Sequence, residues 1–451
     1  MSENLKQKLK TFGLFFGLYS ATMAIFYLAL TASESPISSL DGTRLVLFMM
    51  VLPLLIKLVL QLVSAIWYSY KEKHHLVQEH TNPKVSVLLP AWNEEVGIVK
   101  TMMSVLNSNY QNLQLVVIND GSTDKTDSLV RQFIAQYEPE PDTREIKYLS
   151  LPNGGKAKAL NEGLELADGE IVITVDADCV MDPDAVENFV QRFNDPYVGA
   201  VAGNVIIGNR KKPIELIQQL EYVCGFFFKR ADSVFNSVYI IGGAAAAYRR
   251  KVLVDLKGFD PELITEDVEM SMRILGHGYK TRYAHNAVIY TEGPSDWKGL
   301  CNQRLRWKYG RILTYLRHKE LFFSKHHQNP YLSWVILPLA VYSEILLLLQ
   351  GLLLTFFFAY TFISSDYLPL AIMILFSTVM VTGQILTDSK KDFHSNLLGL
   401  APIAWLLLYA IDFVEFQALV RSLKRLFKRE SLKWQKWSRI GIGQQTAKQT
   451  I

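Results

Sequence analysis

Apolar residues are concentrated in five long blocks near the two ends of the 451-residue chain, and a stretch of mixed polarity separates them. A helix that spans a membrane needs roughly 20 consecutive, mostly apolar residues, and each block is long enough to supply them. The pattern therefore predicts membrane helices at both ends of a polar central domain. The blocks are residues 12–30, 45–68, 334–363, 368–386 and 397–420.

Within the central region, residues 71–330, short apolar runs alternate with stretches of helical spacing. Residues 85–89 and 113–120 are nearly continuous apolar runs rich in β-branched side chains, which is typical of strands buried on both faces. Residues 145–151 and 170–178 predict two further strands. This alternation predicts a doubly wound α/β sheet, in which ligands bind beyond the C-terminal ends of the strands.

Composition supports a membrane protein with a cytosolic central domain. The chain is 49% hydrophobic and has a formal net charge of only +4, so we expect no nucleic-acid partner. Its three cysteines, Cys179, Cys224 and Cys301, all lie in the central region. An odd number without paired spacing favours reduced thiols over a disulfide framework or a zinc site.

Positive charge indicates the orientation of the chain. Lysines at residues 6–10 precede the first apolar block, and further lysines at residues 71–84 follow the second. A second span follows the first block directly, so the first is not expected to be a signal peptide. Cytoplasmic loops carry an excess of Lys and Arg, which places the N-terminus and the central domain in the cytoplasm.

The basic tail, residues 421–451, is expected in the cytoplasm as well, so the C-terminal blocks must cross the membrane an even number of times. The sequence contains three such blocks. Either residues 334–363 form a hairpin or an interface helix plus a span, or one block does not cross. The sequence leaves these alternatives open.

Carboxylates follow the predicted strands at the edge where ligands are expected. In "VDADCVMD", Asp176 and Asp178 alternate at the end of an apolar strand, so they could share a divalent ion with a diphosphate. Mg²⁺ and Mn²⁺ prefer such oxygen ligands. The alternative is a polar turn that caps the next helix. In "INDGSTDKT", Asp120 closes a strand before a glycine turn, where Asp is also common for structural reasons.

Two further motifs combine flexible backbone with charged side chains. In "NGGKAKALNEG", the glycines allow close approach of a ligand, and Lys156 lies at a helix N-terminus, although a surface loop explains the pattern as well. In "LITEDVEMSMRILGHG", Glu266 and Asp267 begin a helix that Thr265 is expected to cap. A carboxylate under apolar cover at this position could accept a proton from a hydroxyl group.

The stretch "CNQRLRWKYGR" combines cations with aromatic residues just before the C-terminal apolar blocks. Helical spacing places Gln303, Arg306, Trp307 and Gly310 on one face, where an arginine could bind a diphosphate. The alternative is a basic, aromatic collar at the membrane surface. The remaining cations are expected to point toward lipid headgroups: Arg304, Lys308 and Arg311.

Six motifs in order, "PAWNEE", "NDGSTD", "NGGKAKALNEG", "DAD", "TED" and "QRLRW", resemble the membrane-spanning, inverting family 2 glycosyltransferases. These include poly-N-acetylglucosamine, hyaluronan, chitin and cellulose synthases, and the bacterial poly-β-1,6-N-acetylglucosamine synthases are the most similar. The resemblance implies a cytosolic α/β domain of the GT-A fold, inserted between transmembrane helices. A tail motif, "KWQKWSRIG", with Trp434, Trp437 and Arg439, also resembles the ends of these synthases.

The resemblance also implies a division of the chain. It predicts two N-terminal transmembrane helices, a GT-A domain, interface helices with a QxxRW motif, a C-terminal transmembrane bundle and a basic cytosolic tail. The corresponding ranges are residues 1–70, 71–300, 301–330, 331–420 and 421–451.

By resemblance, the residues on the donor side bind a UDP-sugar and its metal ion. Glu94 and Asp120 are expected to contact the uridine, with Lys156 nearby. Asp176 and Asp178 are expected to hold the nucleotide sugar and its Mg²⁺ or Mn²⁺, with Asp178 as the direct ligand.

The resemblance assigns the remaining residues to catalysis and to the acceptor. Asp267 is expected to be the general base, and Glu266 to support it. Arg306 is expected to bind the diphosphate, while Gln303 and Trp307 close the site over the acceptor sugar.

The implied activity is processive transfer from a UDP-sugar, with UDP-N-acetylglucosamine as the expected donor, into a β-linked extracellular polysaccharide of the kind found in biofilms, with a part in its export. The alternatives are single-sugar transfer to a membrane lipid, hyaluronan- or cellulose-type synthesis, a non-enzymatic sugar-nucleotide sensor, and a transporter. The expected location is the inner (plasma) membrane. Expected partners are the donor, the growing polymer, membrane lipids and a small accessory membrane subunit.

Three acidic residues lie in or beside the C-terminal apolar blocks: Glu344, Asp412 and Glu415. Ionisable groups in such segments usually face a pathway or the interior of the helix bundle, so they could line a channel for the polymer. The alternative is that they extend to the membrane interface. The sequence does not distinguish these two positions.

Overall fold

The computed structural model describes residues 3–32, 41–74, 82–137, 144–325, 329–432 and 441–442. Within them, five helical segments are long and apolar enough to cross a membrane, in agreement with the five predicted blocks. Large apolar side chains such as Phe12, Leu30 and Phe413 are exposed on these segments, as expected for surfaces that face lipid. The segments are Phe12–Thr31, Phe48–Glu72, Leu332–Ser364, Leu368–Leu386 and Ser395–Lys428.

Two long helices begin the chain, and strands alternate with helices in the central domain. The N-terminal helices are α1 (Glu3–Thr31) and α2 (Asp41–His74). The strands are β1 (Val85–Ala91), β2 (Leu113–Asp120), β3 (Arg144–Leu151), β4 (Ile171–Thr174), β5 (Val180–Met181), β6 (Val198–Ile207), β7 (Ala246–Arg249) and β8 (Lys280–Thr291). The helices are α3 (Ile98–Leu106), α4 (Thr126–Gln136), α5 (Lys156–Leu166), α6 (Ala185–Val190), α7 (Pro213–Val234), α8 (Arg250–Asp255), α9 (Glu266–Gly276) and α10 (Trp297–Arg317).

Three long helices follow the central domain. They are α11 (Leu337–Ser364), α12 (Leu368–Leu386) and α13 (Ala404–Lys428). A turn of π-helix, Leu332–Ile336, leads into α11, and a 3₁₀ segment, Ser395–Ile403, leads into α13. The predicted domain boundaries after residues 70 and 300 fall inside α2 and α10, since both helices are continuous across them.

The strands form one eight-stranded mixed sheet in the order β3-β2-β1-β4-β7-β6-β8-β5. The first four are parallel and are connected through helices, as the alternation in the sequence predicts. Beyond β4 the sheet becomes mixed, because β7 is antiparallel to both β4 and β6. The C-terminal ends of β1, β2 and β4 meet at one edge, which is where the acidic motifs lie.

The fourth strand is shorter than predicted. It ends at Thr174, and the N–H of Cys179 then donates to the carbonyl of Asp176 at 3.0 Å. The chain therefore leaves the sheet in a turn, and both Asp176 and Asp178 lie beyond the strand instead of on it.

Both faces of the sheet are buried, which explains the continuous apolar runs. Val87 and Leu89 of β1 pack with Ile98 and Met102 of α3 on one face. Leu88, which lies between them, packs on the other face with residues of α5, α8 and α9. Because side chains alternate along a strand, each position in β1 contacts one of two cores.

A layer of helices joins the central domain to the membrane segments. Ile217 of α7, Leu300 of α10 and Leu407 of α13 belong to one buried cluster, which also includes residues of α12 such as Ile385. Asp296 caps α10 by accepting a hydrogen bond from the N–H of Gly299 at 2.8 Å. This layer holds the "QRLRW" motif of α10 between the sheet and the bundle.

Candidate active site

A large cavity lies at the C-terminal ends of the parallel strands, where this type of sheet is expected to bind ligands. Its volume is about 750 Å³, within the range of sites that enclose small molecules. All ten residues predicted for the site line this cavity, although they come from six motifs that are far apart in the chain. They are Glu94, Asp120, Lys156, Asp176, Asp178, Glu266, Asp267, Gln303, Arg306 and Trp307.

The loop after β1 is tied to the loop after β2 through Asn93. This residue has a left-handed backbone, with φ of 53°, which Asn adopts more readily than most residues. Its side-chain oxygen accepts hydrogen bonds from the N–H groups of Thr123 (2.7 Å) and Asp124 (3.3 Å). The N–H of Glu94 donates to Thr126 Oγ1 at 2.8 Å. These bonds position Glu94 at the cavity wall.

Asp120 fixes the "NGG" loop. Its carboxylate accepts hydrogen bonds from the N–H groups of Gly154 (2.7 Å) and Gly155 (2.9 Å), and from the side chain of Asn153 (3.2 Å). A side chain at Gly121 would not fit, because its Cβ would lie 2.5 Å from the backbone nitrogen of Asn153. Asp120 thus shapes the cavity wall through strong, charge-assisted bonds, and its contact with uridine stays a prediction.

Lys156 joins two carboxylates from different elements. Its Nζ donates to Asp176 and lies 3.2 Å from Glu266 Oε1. Burial by itself would lower the pKa of Lys156, but the carboxylates of Asp176, Glu266 and Asp267 raise it. Burial raises the pKa of Glu266, and the charge of Lys156 opposes that shift. The carboxylates therefore offset the unfavourable helix dipole that this lysine meets at the N-terminus of α5.

Asp176 and Asp178 offer an oxygen-rich edge to the cavity. Among the described residues, no group of three or more His, Cys, Asp or Glu side chains could hold a metal ion. Two carboxylates fit instead a Mg²⁺ or Mn²⁺ ion that takes its other ligands from substrate phosphates and water. The residues therefore suit an ion bound together with a diphosphate, with Asp178 as the predicted ligand and Asp176 shared with Lys156.

Asp267, in the first turn of α9, is oriented by two backbone groups. Its Oδ2 accepts a hydrogen bond from the N–H of Gly243 at 2.7 Å, and its Oδ1 accepts one from the N–H of Val268 at 2.8 Å. A Cβ at position 243 would lie 2.7 Å from Lys156 Nζ, so a larger residue there would push Lys156 away from its carboxylate partners. A carboxylate held in this way is suited to take a proton from an incoming hydroxyl group.

The N-terminus of α9 differs from the prediction, because Thr265 makes no side-chain cap. Its side chain packs against α10 instead, where a Cβ at Gly310 would lie 2.4 Å from Thr265 Cγ2. Gly310 thus lets α10 approach the start of α9. This close packing brings the "QRLRW" motif to the same cavity as Asp267.

On α10, Gln303, Arg306 and Trp307 line the cavity together, as their helical spacing predicts. Gln303 Oε1 is buried and makes no hydrogen bond within the described part of the chain. Leaving such an oxygen unsatisfied costs about 1–3 kcal/mol. The guanidinium of Arg304 lies 4.4 Å from the ring centre of Trp307 and covers one face of the indole.

The prediction that the other cations of α10 point toward lipid headgroups is wrong. Arg304 and Lys308 are only 4% and 3% exposed. Arg304 pairs with Glu221 of α7 (2.8 Å) and Glu415 of α13 (3.6 Å). Lys308 pairs with Glu344 of α11 (2.8 Å) and with Glu415 (2.7 Å). Acidic residues on three neighbouring helices cover this face of α10 and neutralise it.

The acidic residues of the C-terminal helices consequently face the interior of the bundle. The side chains of Glu344 and Glu415 are 17% and 19% exposed and pair with Lys308 of α10, so they face neighbouring helices. Asp412 accepts a hydrogen bond from Gln350 at 2.7 Å. Glu344 also lies 3.5 Å from Arg311. The ion pairs of Glu344 and Glu415 hold α10 against the membrane helices. A polymer channel lined by the three acidic residues stays a prediction.

Some residues near the site were missed by sequence reasoning. The role of Gly243 depends on a contact that only the run of small residues "GGAAAA" hinted at. Two residues near the C-terminus also contact the site: the N–H of Gly441 donates to Glu292 at 2.9 Å, and Lys100 donates to the carbonyl of Ile442 at 2.7 Å. Most of the tail motif, with Trp434, Trp437 and Arg439, lies outside the described residues.

Known proteins resemble this chain in sequence and in fold. The family described as "Glycosyltransferase like family 2" matches residues 83–310. The chain is 28% identical over 398 residues to the poly-beta-1,6-N-acetyl-D-glucosamine synthase of Staphylococcus epidermidis, which covers 84% of this chain and 93% of that protein. It is 32% identical over 243 residues to the Staphylococcus aureus (strain COL) protein of the same name, covering 53% and 57% respectively.

A solved structure of a mannosyltransferase from Pyrobaculum calidifontis, in complex with GDP-Man and Mn²⁺, aligns with a TM-score of 0.54 and 21% identity. The alignment covers 85% of this chain and all of that one. This likeness and the family match confirm the predicted GT-A fold, here combined with apolar helices long enough to span a membrane. Because the family match extends over just over half of the chain, the protein belongs to the family 2 glycosyltransferases.

Proposed function

We propose that this enzyme transfers N-acetylglucosamine processively from UDP-N-acetylglucosamine to a growing β-linked polysaccharide at a membrane. The observation that carries the proposal is the arrangement around one cavity, in which Asp267, held by Gly243, lies next to the wall formed by Lys156, Asp176 and Asp178. The names of the two staphylococcal relatives support the choice of sugar and polymer.

In the proposed reaction, Asp267 removes the proton from the acceptor hydroxyl while that oxygen attacks the anomeric carbon. The bond from this carbon to the UDP oxygen breaks at the same time. Attack from the opposite face converts an α-linked donor into a β-linked product, which is the inverting outcome of this family. A glycosidase needs a second carboxyl group to protonate its leaving sugar oxygen, whereas a diphosphate leaves as an anion, so one base suffices.

Positive charge on the donor side is proposed to stabilise the leaving UDP. Lys156 and Arg306 line the cavity, and preorganised cations act most strongly where charge develops in the transition state. A divalent ion, when bound, would supply further charge neutralisation at the diphosphate, and Asp176 and Asp178 are the residues that would hold it. Glu266 keeps Lys156 in position through their ion pair.

The acceptor is proposed to lie against α10. The indole of Trp307 offers an apolar face that suits a sugar ring, and the side-chain amide of Gln303 offers hydrogen-bonding groups for the hydroxyl or amide groups of the sugar. Both side chains lie on the helix face that carries Arg306, so donor and acceptor would meet beside one element.

The proposed function is tested by incubating membranes that contain the protein with single UDP-sugars in Mg²⁺ or Mn²⁺. We expect UDP-N-acetylglucosamine alone to support a high-molecular-weight product that a glycosidase specific for β-1,6-linked N-acetylglucosamine degrades, and we expect EDTA to stop its formation. A single sugar on an extractable lipid would instead support the lipid-acceptor alternative. A requirement for UDP-glucuronic acid or UDP-glucose would indicate hyaluronan- or cellulose-type synthesis.

We also propose that the catalytic domain is cytoplasmic, at the inner (plasma) membrane, and that four helices cross this membrane. The loop after α12 packs on the central domain, where Lys390 pairs with Asp182 (2.6 Å) and Ser389 donates to the carbonyl of His285 (2.8 Å). The chain end also contacts this domain through Gly441. Both ends of the segment 395–428 therefore lie on the catalytic side.

The segment 395–428 is accordingly proposed to be re-entrant. Trp405 reaches α1, where it donates to Thr22 at 3.3 Å, and packs on Leu370 near the far end of α12. α13 then returns along α10, since Tyr309 donates to the carbonyl of Glu430 at 3.1 Å. Crossings by α1, α2, α11 and α12 give the even number that the basic tail requires.

This topology predicts which positions a membrane-impermeant maleimide labels in a variant without native cysteines. We expect Ser365→Cys, between α11 and α12, to react in intact cells. We expect Lys391→Cys and Arg429→Cys, on either side of the segment 395–428, to react only after the membrane is opened. Labelling of Arg429→Cys in intact cells would show that this segment crosses the membrane.

A further inference from the structure

One part of the cavity wall, which we call the α2 arm, is formed by residues of α2 and α7. It is lined by Lys57 and Gln61 of α2, by Lys229 and Asp232 of α7, and by Tyr239 from the loop that follows α7. They come from elements other than the loops after β1 and β2, and Lys229 lies close enough to Asp267 for their charges to interact. The donor machinery described above makes no use of them.

The α2 residues are unusual for their position in an apolar helix. Lys57 and Gln61 are one turn apart on the same face, within the candidate membrane span Phe48–Glu72. Neighbouring Ile56 and Val59 are 52% and 58% exposed, as expected for the lipid-facing side. Polar and ionisable residues in such helices usually face a water-filled cavity or a functional pathway, and here they face the α2 arm.

On the opposite wall, α7 contributes two charged side chains, Asp232 and Lys229. Asp232 is 9% exposed; burial raises its pKa to about 7, against the charge of Lys57 and the nearby side chain of Gln61. Burial also lowers the pKa of Lys229 to about 8, against the charges of Asp267 and Asp232. Lys229 therefore interacts with both carboxylates and connects Asp267 electrostatically to the arm.

The chemistry of the arm indicates its ligand. Two lysines and two carboxylates balance in charge when Asp267 is included, which disfavours an ionic ligand. Donors and acceptors on both walls disfavour a lipid tail, since buried polar groups need hydrogen-bond partners. The aromatic side chains of Phe228 and Tyr239 supply apolar faces beside these polar groups. This combination suits a neutral sugar that carries hydroxyl and amide groups.

We infer that the α2 arm is an acceptor subsite, in which Lys57, Gln61 and Asp232 bind the sugar that precedes the terminal acceptor residue. The inference rests on the proposed function and deepens it. It makes α2 a determinant of how the enzyme holds its product between successive additions.

The test uses the purified full chain with UDP-N-acetylglucosamine and β-1,6-linked acceptors of one to four N-acetylglucosamine residues. We expect Lys57→Met and Gln61→Leu to raise the KM for acceptors of two or more residues about threefold to tenfold, the effect of one lost hydrogen bond. The KM for the monosaccharide acceptor and for UDP-N-acetylglucosamine should not change. The matched control is Lys71→Met, because Lys71 is exposed on the same helix outside the arm.

A purely structural role predicts a different result. The double variant Lys57→Met/Asp232→Asn removes both charges, so no buried charge is left alone. Return of its acceptor KM to the wild-type value would overturn the inference, as would an equal rise for the monosaccharide. Gln61→Leu changes no charge, so it still tests the inference if Lys57→Met fails to fold. If the wild-type protein makes no polymer, the proposed function itself is overturned. If Lys57→Met and Gln61→Leu both use acceptors as the wild type does, only the subsite inference is overturned.

Discussion

Replacing Asp267 by asparagine is expected to abolish polymer synthesis while the protein still folds and binds UDP. Asparagine preserves the size of the side chain, but its amide cannot accept the proton of the acceptor hydroxyl. Loss of a general base typically lowers the rate by about 10²- to 10⁴-fold. Incorporation of radiolabelled N-acetylglucosamine measures the transfer, and UDP binding to the purified variant measures the integrity of the donor site.

The matched control for this variant is Glu262→Gln, four residues before Glu266 on the same segment. The side chain of Glu262 is 75% exposed and pairs with Arg317 at the surface, so its loss should leave transfer unchanged. Asp267→Asn with wild-type transfer would remove Asp267 as the base. Glu266 would then become the next candidate, although its ion pair with Lys156 favours a supporting role.

Replacing Arg304 by alanine is expected to destabilise the protein by about 3–5 kcal/mol, because it removes a buried guanidinium and leaves the partly buried carboxylates of Glu221 and Glu415 without this partner. The sequence alone predicts for Arg304 only a contact with lipid headgroups. Thermal unfolding in detergent measures the effect. Arg306→Ala, by contrast, is expected to stop transfer with little change in unfolding, since Arg306 lines the cavity.

The control for the Arg304 network is Arg317→Ala, at the end of the same helix. The side chain of Arg317 is 42% exposed, and it pairs with Asp260 and Glu262 at the surface. An exposed pair of this kind contributes about 0–1 kcal/mol. If Arg304→Ala unfolds no more easily than Arg317→Ala, the buried ion pairs do not hold α10 in place.

Local patterns predicted much of the fold and the composition of the site. The continuous apolar runs of β1 and β2 are a direct consequence of burial on two faces, so they could be recognised without a structure. Parallel strands end at a common edge, which is why Asp120, Asp176 and Asp178 could be grouped in advance. The spacing on α10 placed Gln303 and Trp307 on one face for the same reason, since helical geometry is regular.

The sequence by itself therefore determined the family, the order of the elements and the set of side chains at the cavity. The tertiary structure decided which groups those side chains meet. The bond from Gly243 to Asp267, the carboxylates around Arg304 and the polar wall that Lys57 shares with Asp232 all join distant parts of the chain. Such contacts depend on how helices pack against the sheet and against each other. Local periodicity predicts which face of an element is buried, but not which distant residues that face meets.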